Sequence, residues 1–132
     1  MSKGFTLIEL LLVVVIIGIV AAFVLPKFGD VKEKAYISAM KNDLRNLATD
    51  QEIYFEEYDG YRNDPNTAPT SDGVTFTYLQ GPDQDGYVVQ ASHGKTSVDC
   101  ALNRDQAGVT GLSLDNGASI DVGVGELQCA DN

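Results

Sequence analysis

The sequence predicts an α+β protein: a long N-terminal helix whose outer half packs on a small antiparallel β-sheet. Three observations carry this expectation. Residues 5–25 are almost wholly apolar. From Asp30 to Tyr58, apolar side chains recur with the helical period. After residue 73, short runs alternate apolar and polar residues between turns rich in Gly, Pro, Asn and Asp, as half-buried strands do. The chain has 132 residues. Beside the apolar segment this leaves room for one soluble domain of roughly a hundred residues.

At about 1.5 Å per residue, the run from Phe5 to Leu25 makes a helix of roughly 31 Å, enough to cross a hydrocarbon core of about 30 Å. It is interrupted once, by Glu9. A carboxylate at membrane depth costs about 2.5–3.5 kcal/mol on insertion scales, so an unpaired Glu9 needs a use. Three readings compete. A cleaved secretory signal would take Lys3 as its positive start and the small residues Val20 and Ala22 before the cut, but the acid and the length of the run stand against it. A plain membrane anchor explains the length and leaves Glu9 unexplained. The third reading cuts the chain between Gly4 and Phe5. The new N-terminus is then a cation beside the membrane, four residues from Glu9 and near the same helical face. Ammonium and carboxylate attract strongly in a low dielectric, although desolvation cancels much of the gain. The amine belongs either to the same chain or to a neighbour, and a neighbour's amine would make the pair an assembly signal.

The run Gly4-Phe5-Thr6-Leu7-Ile8-Glu9 resembles the class III signal of type IV pilins and the related pseudopilins. The likeness is strong over about the first sixty residues and weak beyond them. It implies a prepilin peptidase that removes Met1 to Gly4 and N-methylates Phe5. It implies that Phe5, Thr6 and Glu9 serve assembly, with Glu9 engaging the Phe5 amine of an adjoining subunit. The implied fold is the type IV pilin fold. The implied role is that of a structural subunit, not an enzyme, that polymerises with copies of itself. The pilus assembly machinery would draw it from the inner membrane into a filament on the cell surface. The alternative within the same resemblance is a pseudopilin of a type II secretion system, forming a periplasmic pseudopilus.

The resemblance also divides the chain. Residues 1–4 are the leader, 5–25 the membrane and filament-core helix, 26–58 its amphipathic extension, 59–73 a connecting loop and 74–132 the sheet region. Pro26 removes a helical hydrogen bond and clashes with the preceding turn. Gly18 and Gly29 lie on either side of it, and each glycine weakens a helix by about 1 kcal/mol relative to alanine. Gly18, Pro26 and Gly29 are therefore expected to form a hinge; the plainer reading is a helix end with a Pro-Gly stop.

Helical spacing places Tyr36, Met40, Leu44, Leu47, Tyr54, Phe55 and Tyr58 in one stripe, with Gln51 its one polar member. This stripe is expected to be core against the sheet. On the opposite side Val31, Ala35, Ser38, Asn42, Asn46, Thr49 and Ile53 form a strip without charge, bordered by charged residues. Such a strip suits contact with a neighbouring subunit, or is ordinary polar surface.

Asp59-Gly60 reads as a helix stop. Residues 74–79 and 86–92 read as two strands joined by a Pro-Asp-Gln-Asp turn, an antiparallel hairpin. Residues 97–102 and 117–124 are weaker strand candidates. The two cysteines, Cys100 and Cys129, most simply form one disulfide in an exported domain. The resemblance implies that the tail from Asp99 to Cys129 is a disulfide-bounded loop pinned against the sheet edge.

Several function classes are disfavoured. The formal net charge is −10, and phosphate binding needs clustered cations, so no nucleic-acid partner is expected. There is one histidine, His93, and no CxxC pair, so no Cys/His metal site and no cofactor is expected. Asp83-x-Asp85-Gly86 resembles the start of a calcium loop but lacks the closing acid, because Gly94 stands there; a turn is expected. Asp115, Asn116 and Asp121 are a weaker calcium candidate, and Asp115-Asn116-Gly117 reads as a tight turn. No nucleophile pattern surrounds His93, and no phosphate cradle or paired-acid motif appears, so no enzyme is expected.

Overall fold

The computed structural model describes residues 4–24, 27–83, 85–106 and 109–131, without the side chain of Lys27. The chain divides into two compact units, residues 1–34 and 35–132. Helix α1 spans Leu7–Val24 and helix α2 spans Lys27–Tyr58. Every residue of α1 is exposed. A helix that is apolar on all sides belongs in lipid or among other helices, not in water. The helix beginning at Leu7 holds a window of mean hydropathy 3.2, apolar enough to cross a membrane. Gly18 lies within α1 and Gly29 within α2. Pro26, the third member of the expected hinge, lies outside the described residues.

The outer part of α2 follows its periodicity. Met40, Leu44, Leu47 and Gln51 are wholly buried, Tyr36, Tyr54 and Phe55 are half-buried, and the neutral strip is exposed from Val31 to Ile53. Tyr58 departs from the expected core stripe. It is 59% exposed, because it sits on the last turn and stacks on Tyr54 at the surface, with ring centroids 4.4 Å apart. The helix ends where Asp59 takes a left-handed conformation (φ 54°) and its N–H closes on the Phe55 carbonyl at 2.8 Å. Asp is one of the few residues besides Gly that visits this region readily.

The main sheet has four antiparallel strands. They are β1 (Val74–Asp83), β2 (Gly86–His93), β3 (Val98–Arg104) and β6 (Leu127–Asp131), in the order β1-β2-β3-β6. A two-residue ribbon, β4 (Leu112–Ser113) with β5 (Ser119–Ile120), stands apart from it. The expected strand over 117–124 is thus reduced to Ser119–Ile120, and it pairs outside the main sheet. The fourth main strand comes instead from Leu127–Asp131. Glycines at 117, 123 and 125 break the earlier run, two of them at positive φ, whereas Cys129 sits directly opposite Cys100 and is bonded to it. Closing a loop of 29 residues' separation stabilises the fold by about 3–4 kcal/mol in the chain-entropy model.

Strand alternation sorts the sheet into two faces. Val74, Phe76, Tyr87, Val89, Ala91, Cys100 and Leu102 meet Met40, Leu44 and Leu47 of α2 in one core. The other face is not solvated. Ala101 packs there with Leu114, Ala118, Ile120 and Val122 of the C-terminal loop. The loop therefore covers a face of the sheet, where the sequence reading placed it at an edge. Burial on both faces is why β2 and β3 contain almost no exposed residue.

The connecting loop after α2 is held by side chains that imitate backbone partners. Asn66 donates to the Phe76 carbonyl and accepts from its N–H, both at 2.9 Å, satisfying part of the free edge of β1. The Asp43 carboxylate takes the Ser71 N–H at 2.7 Å and the Ser71 hydroxyl at 3.0 Å.

Candidate assembly site

The N-terminal segment is built from the helix start. Gly4, Phe5 and Thr6 are non-helical and exposed. Thr6 occupies the N-cap position: its carbonyl accepts the first helical hydrogen bond, from Leu10 N–H at 3.3 Å. Its hydroxyl accepts the Glu9 N–H at 3.3 Å. Glu9 answers from the third helical position. Its Oε2 accepts both the Thr6 N–H at 2.9 Å and the Thr6 hydroxyl at 2.8 Å. This is a reciprocal capping box, which satisfies helix-end donors that no carbonyl reaches.

The box changes how Glu9 is understood. Reading it as an unpartnered acid overlooks Thr6-Leu7-Ile8-Glu9, a T-x-x-E signature directly before an apolar run. Two neutral donors orient the carboxylate, but they leave its charge in place. Both donors fall on Oε2, and no described residue donates to Oε1. The site is therefore a fixed, exposed carboxylate with one oxygen available, one helical turn from a side chain, Phe5, that is 79% exposed. An ammonium group could approach Oε1 without dismantling the cap.

The other candidate residues lie apart from this site. Cys100 and Cys129 form the disulfide within the second unit. Asp83 accepts from Asp85 N–H at 2.9 Å, as expected of a turn. Asp121 accepts from Gly111 N–H, and both ends of the Asn116 amide are engaged by loop and sheet backbone. His93 ends β2 with 4% exposure, its ring stacked on Tyr36 at 4.3 Å between centroids. Its Nδ1 accepts the Lys95 N–H at 3.1 Å, which leaves Nε2 to donate to the Asp72 carbonyl at 3.2 Å. A lone histidine in a sequence carries no signal of such packing.

A capped apolar helix, followed along the chain by a helix that packs on a four-stranded antiparallel sheet, defines a pilin-like architecture. Residues 1–25 match the model of the prokaryotic N-terminal methylation motif. The chain is 37% identical over 117 residues to the type IV major pilin protein of Myxococcus xanthus, covering 87% of this chain and 50% of that protein. It is 32% identical over 104 residues to the type IV narrow pilus major component of Thermus thermophilus, covering 79% of this chain and 83% of that protein. A type II secretion system core protein G of Pseudomonas aeruginosa is 41% identical over 53 residues, 40% of this chain and 37% of that protein. The chain belongs to the type IV pilin family. It spans half the length of the Myxococcus relative.

Proposed function

We propose that this chain is a structural pilin subunit. The prepilin peptidase removes Met1 to Gly4 and methylates the Phe5 amine; the pilus machinery then draws the subunit from the inner membrane into a surface filament of identical copies. The observation that supports this best is the oriented Glu9 carboxylate with an open Oε1. Thr6 holds it at the helix start, and the Phe5 ammonium of an adjoining copy neutralises it. Helix α1, apolar on every side, fits lipid before assembly and a bundle of like helices afterwards. The exposed neutral strip of α2 meets neighbouring subunits, and Gly18, Pro26 and Gly29 let the helix give way on the transfer. The likeness to core protein G supports a second reading, a periplasmic pseudopilin.

Glu9→Ala in the producing strain tests the first reading. Correctly trimmed and methylated subunits should accumulate, seen by mass spectrometry, while fibres disappear from electron micrographs. Ordinary fibre yield from correctly trimmed Glu9→Ala subunits would overturn it. In the same assay Ala35→Glu and Asn42→Lys should reduce fibre yield, and normal assembly of both would remove the strip from the interface. Wild-type fibres at the cell surface separate a pilus from a periplasmic piece.

A further inference from the structure

The loop closed by the disulfide contains Asn116-Gly117. A glycine after asparagine leaves the intervening peptide nitrogen unshielded by any side chain, so it can reach the asparagine carboxamide carbon. Residues 114–118 form a three-residue turn, with Gly117 N–H on the Leu114 carbonyl and Leu114 N–H on the Ala118 carbonyl, each at 2.9 Å. Gly117 sits at φ 88°, in the left-handed region.

Both reacting groups are restrained. Asn116 Nδ2 donates to the Ser97 carbonyl at 2.7 Å and to the Ala130 carbonyl at 2.9 Å. Its Oδ1 accepts Ala118 N–H at 2.9 Å. Its own N–H donates to Asp99 Oδ2 at 3.0 Å, and the same oxygen accepts Gln90 Nε2 at 2.9 Å. Gln90 Oε1 accepts Asp115 N–H at 3.2 Å. Three strands of the main sheet thus grip one turn. For Gly117 nitrogen to reach Asn116 Cγ, the carboxamide must leave two carbonyls and an N–H, and Gly117 must release Leu114.

We propose that Asn116-Gly117 is a fold-gated modification site: inert while this clasp is closed, and converted to aspartate or isoaspartate once the loop opens, in a step that stops the loop from docking again. The Gly117 nitrogen gives up its proton to solvent base and bonds to Asn116 Cγ. The Cγ–Nδ2 bond breaks, and nitrogen leaves as ammonia, taking up a proton. Water then opens the succinimide. Attack at the side-chain carbonyl gives aspartate; attack at the main-chain carbonyl gives isoaspartate. One water is consumed and one ammonia released, with no change of oxidation state. Aspartate at 116 would turn carboxylate oxygens toward the Ser97 and Ala130 carbonyls, which are acceptors, and add charge near Asp99 and Asp115. Isoaspartate lengthens the backbone of a turn that closes at three residues. The product marks subunits whose loop has once opened and leaves the sheet face around Ala101 uncovered.

Wild-type full chain in detergent micelles, disulfide intact, is incubated at mildly alkaline pH beside the same chain reduced in urea. Peptide mass spectrometry follows the amide-to-acid mass gain at Asn116. Conversion should run at least about tenfold faster in the opened chain, as expected for a reaction that requires local unfolding. Equal rates overturn the gate. In the full-length Asn116→Asp chain, hydrogen exchange should lose protection at the Gly117 and Ala118 amides while β2 keeps it. Native protection there overturns the one-way step. The rate comparison uses wild-type chain alone, so it decides the gate even where Asn116→Asp fails to fold.

Discussion

Gln51 is wholly buried inside an otherwise apolar helical stripe, and both ends of its amide are used. Its Oε1 accepts Arg62 N–H at 2.8 Å; its Nε2 donates to the Tyr78 hydroxyl at 2.6 Å and more weakly to the Arg62 carbonyl at 3.4 Å. Tyr78 in turn donates to that carbonyl at 2.7 Å. One side chain therefore ties α2 to the loop that leaves it and to β1. Gln51→Leu keeps the bulk and removes the three bonds that the amide makes. Tyr78 retains the Arg62 carbonyl, but Arg62 N–H is left without its partner. An orphaned buried donor costs about 1–3 kcal/mol and the lost tyrosine bond about 0.5–1.5 kcal/mol. Burying leucine in place of an amide returns part of this, about 1–2 kcal/mol. The net loss is about 1.5 kcal/mol, which lowers Tm by roughly 6–12 °C for a domain of this size. Circular dichroism melts of the full chain in micelles measure it. Adding Tyr78→Phe should cost less in the Gln51→Leu background than in wild type, by about 1 kcal/mol, because the pair shares one network. A Gln51→Leu chain within about 0.5 kcal/mol of wild type, with no coupling to Tyr78, would refute this account of how the helix is joined to the sheet.

Thr6→Val keeps the branched shape and deletes the hydroxyl of the capping box. The helix start should lose about 0.5–2 kcal/mol, read as faster amide exchange at residues 7–10 in micelles, with fewer fibres in the producing strain; unchanged exchange would dismiss the cap. Burial holds the Asp99 carboxyl above the ordinary carboxylate range, and the Asp115 charge adds to this, while hydrogen bonds from Asn116 N–H and Gln90 pull it down. The folded chain thus binds a proton that the unfolded chain has already released. Its contribution to stability is full below the ordinary carboxylate pKa and disappears as pH rises through the raised value. Asp99→Asn should therefore flatten the fall in urea midpoint over that window, and an identical slope in both chains would exclude Asp99 as the source.

Legibility divides by range of interaction. The buried stripe Met40, Leu44 and Leu47 is readable because helical period alone decides which side chains share a face. The β1–β2 hairpin is readable because a turn and alternation lie within twenty residues of each other. Tyr58 is misread for the opposite reason: periodicity gives its direction but not whether the sheet reaches that far. The strand at Leu127–Asp131 is hidden because its five residues, LQCAD, alternate poorly, and pairing with β3 supplies what propensity does not.

The amino-acid order by itself determined the apolar span, its single acid, the T-x-x-E start and the amphipathic helix, since each depends only on residues within a turn or two along the chain. Only the folded molecule decided that the C-terminal loop lies over a sheet face, that His93 stacks on Tyr36, and that Asp99, Gln90 and Asn116 close on one another. Those partners stand nine or more positions apart with no repeating pattern between them, and hydrogen-bond satisfaction in a buried space selects them.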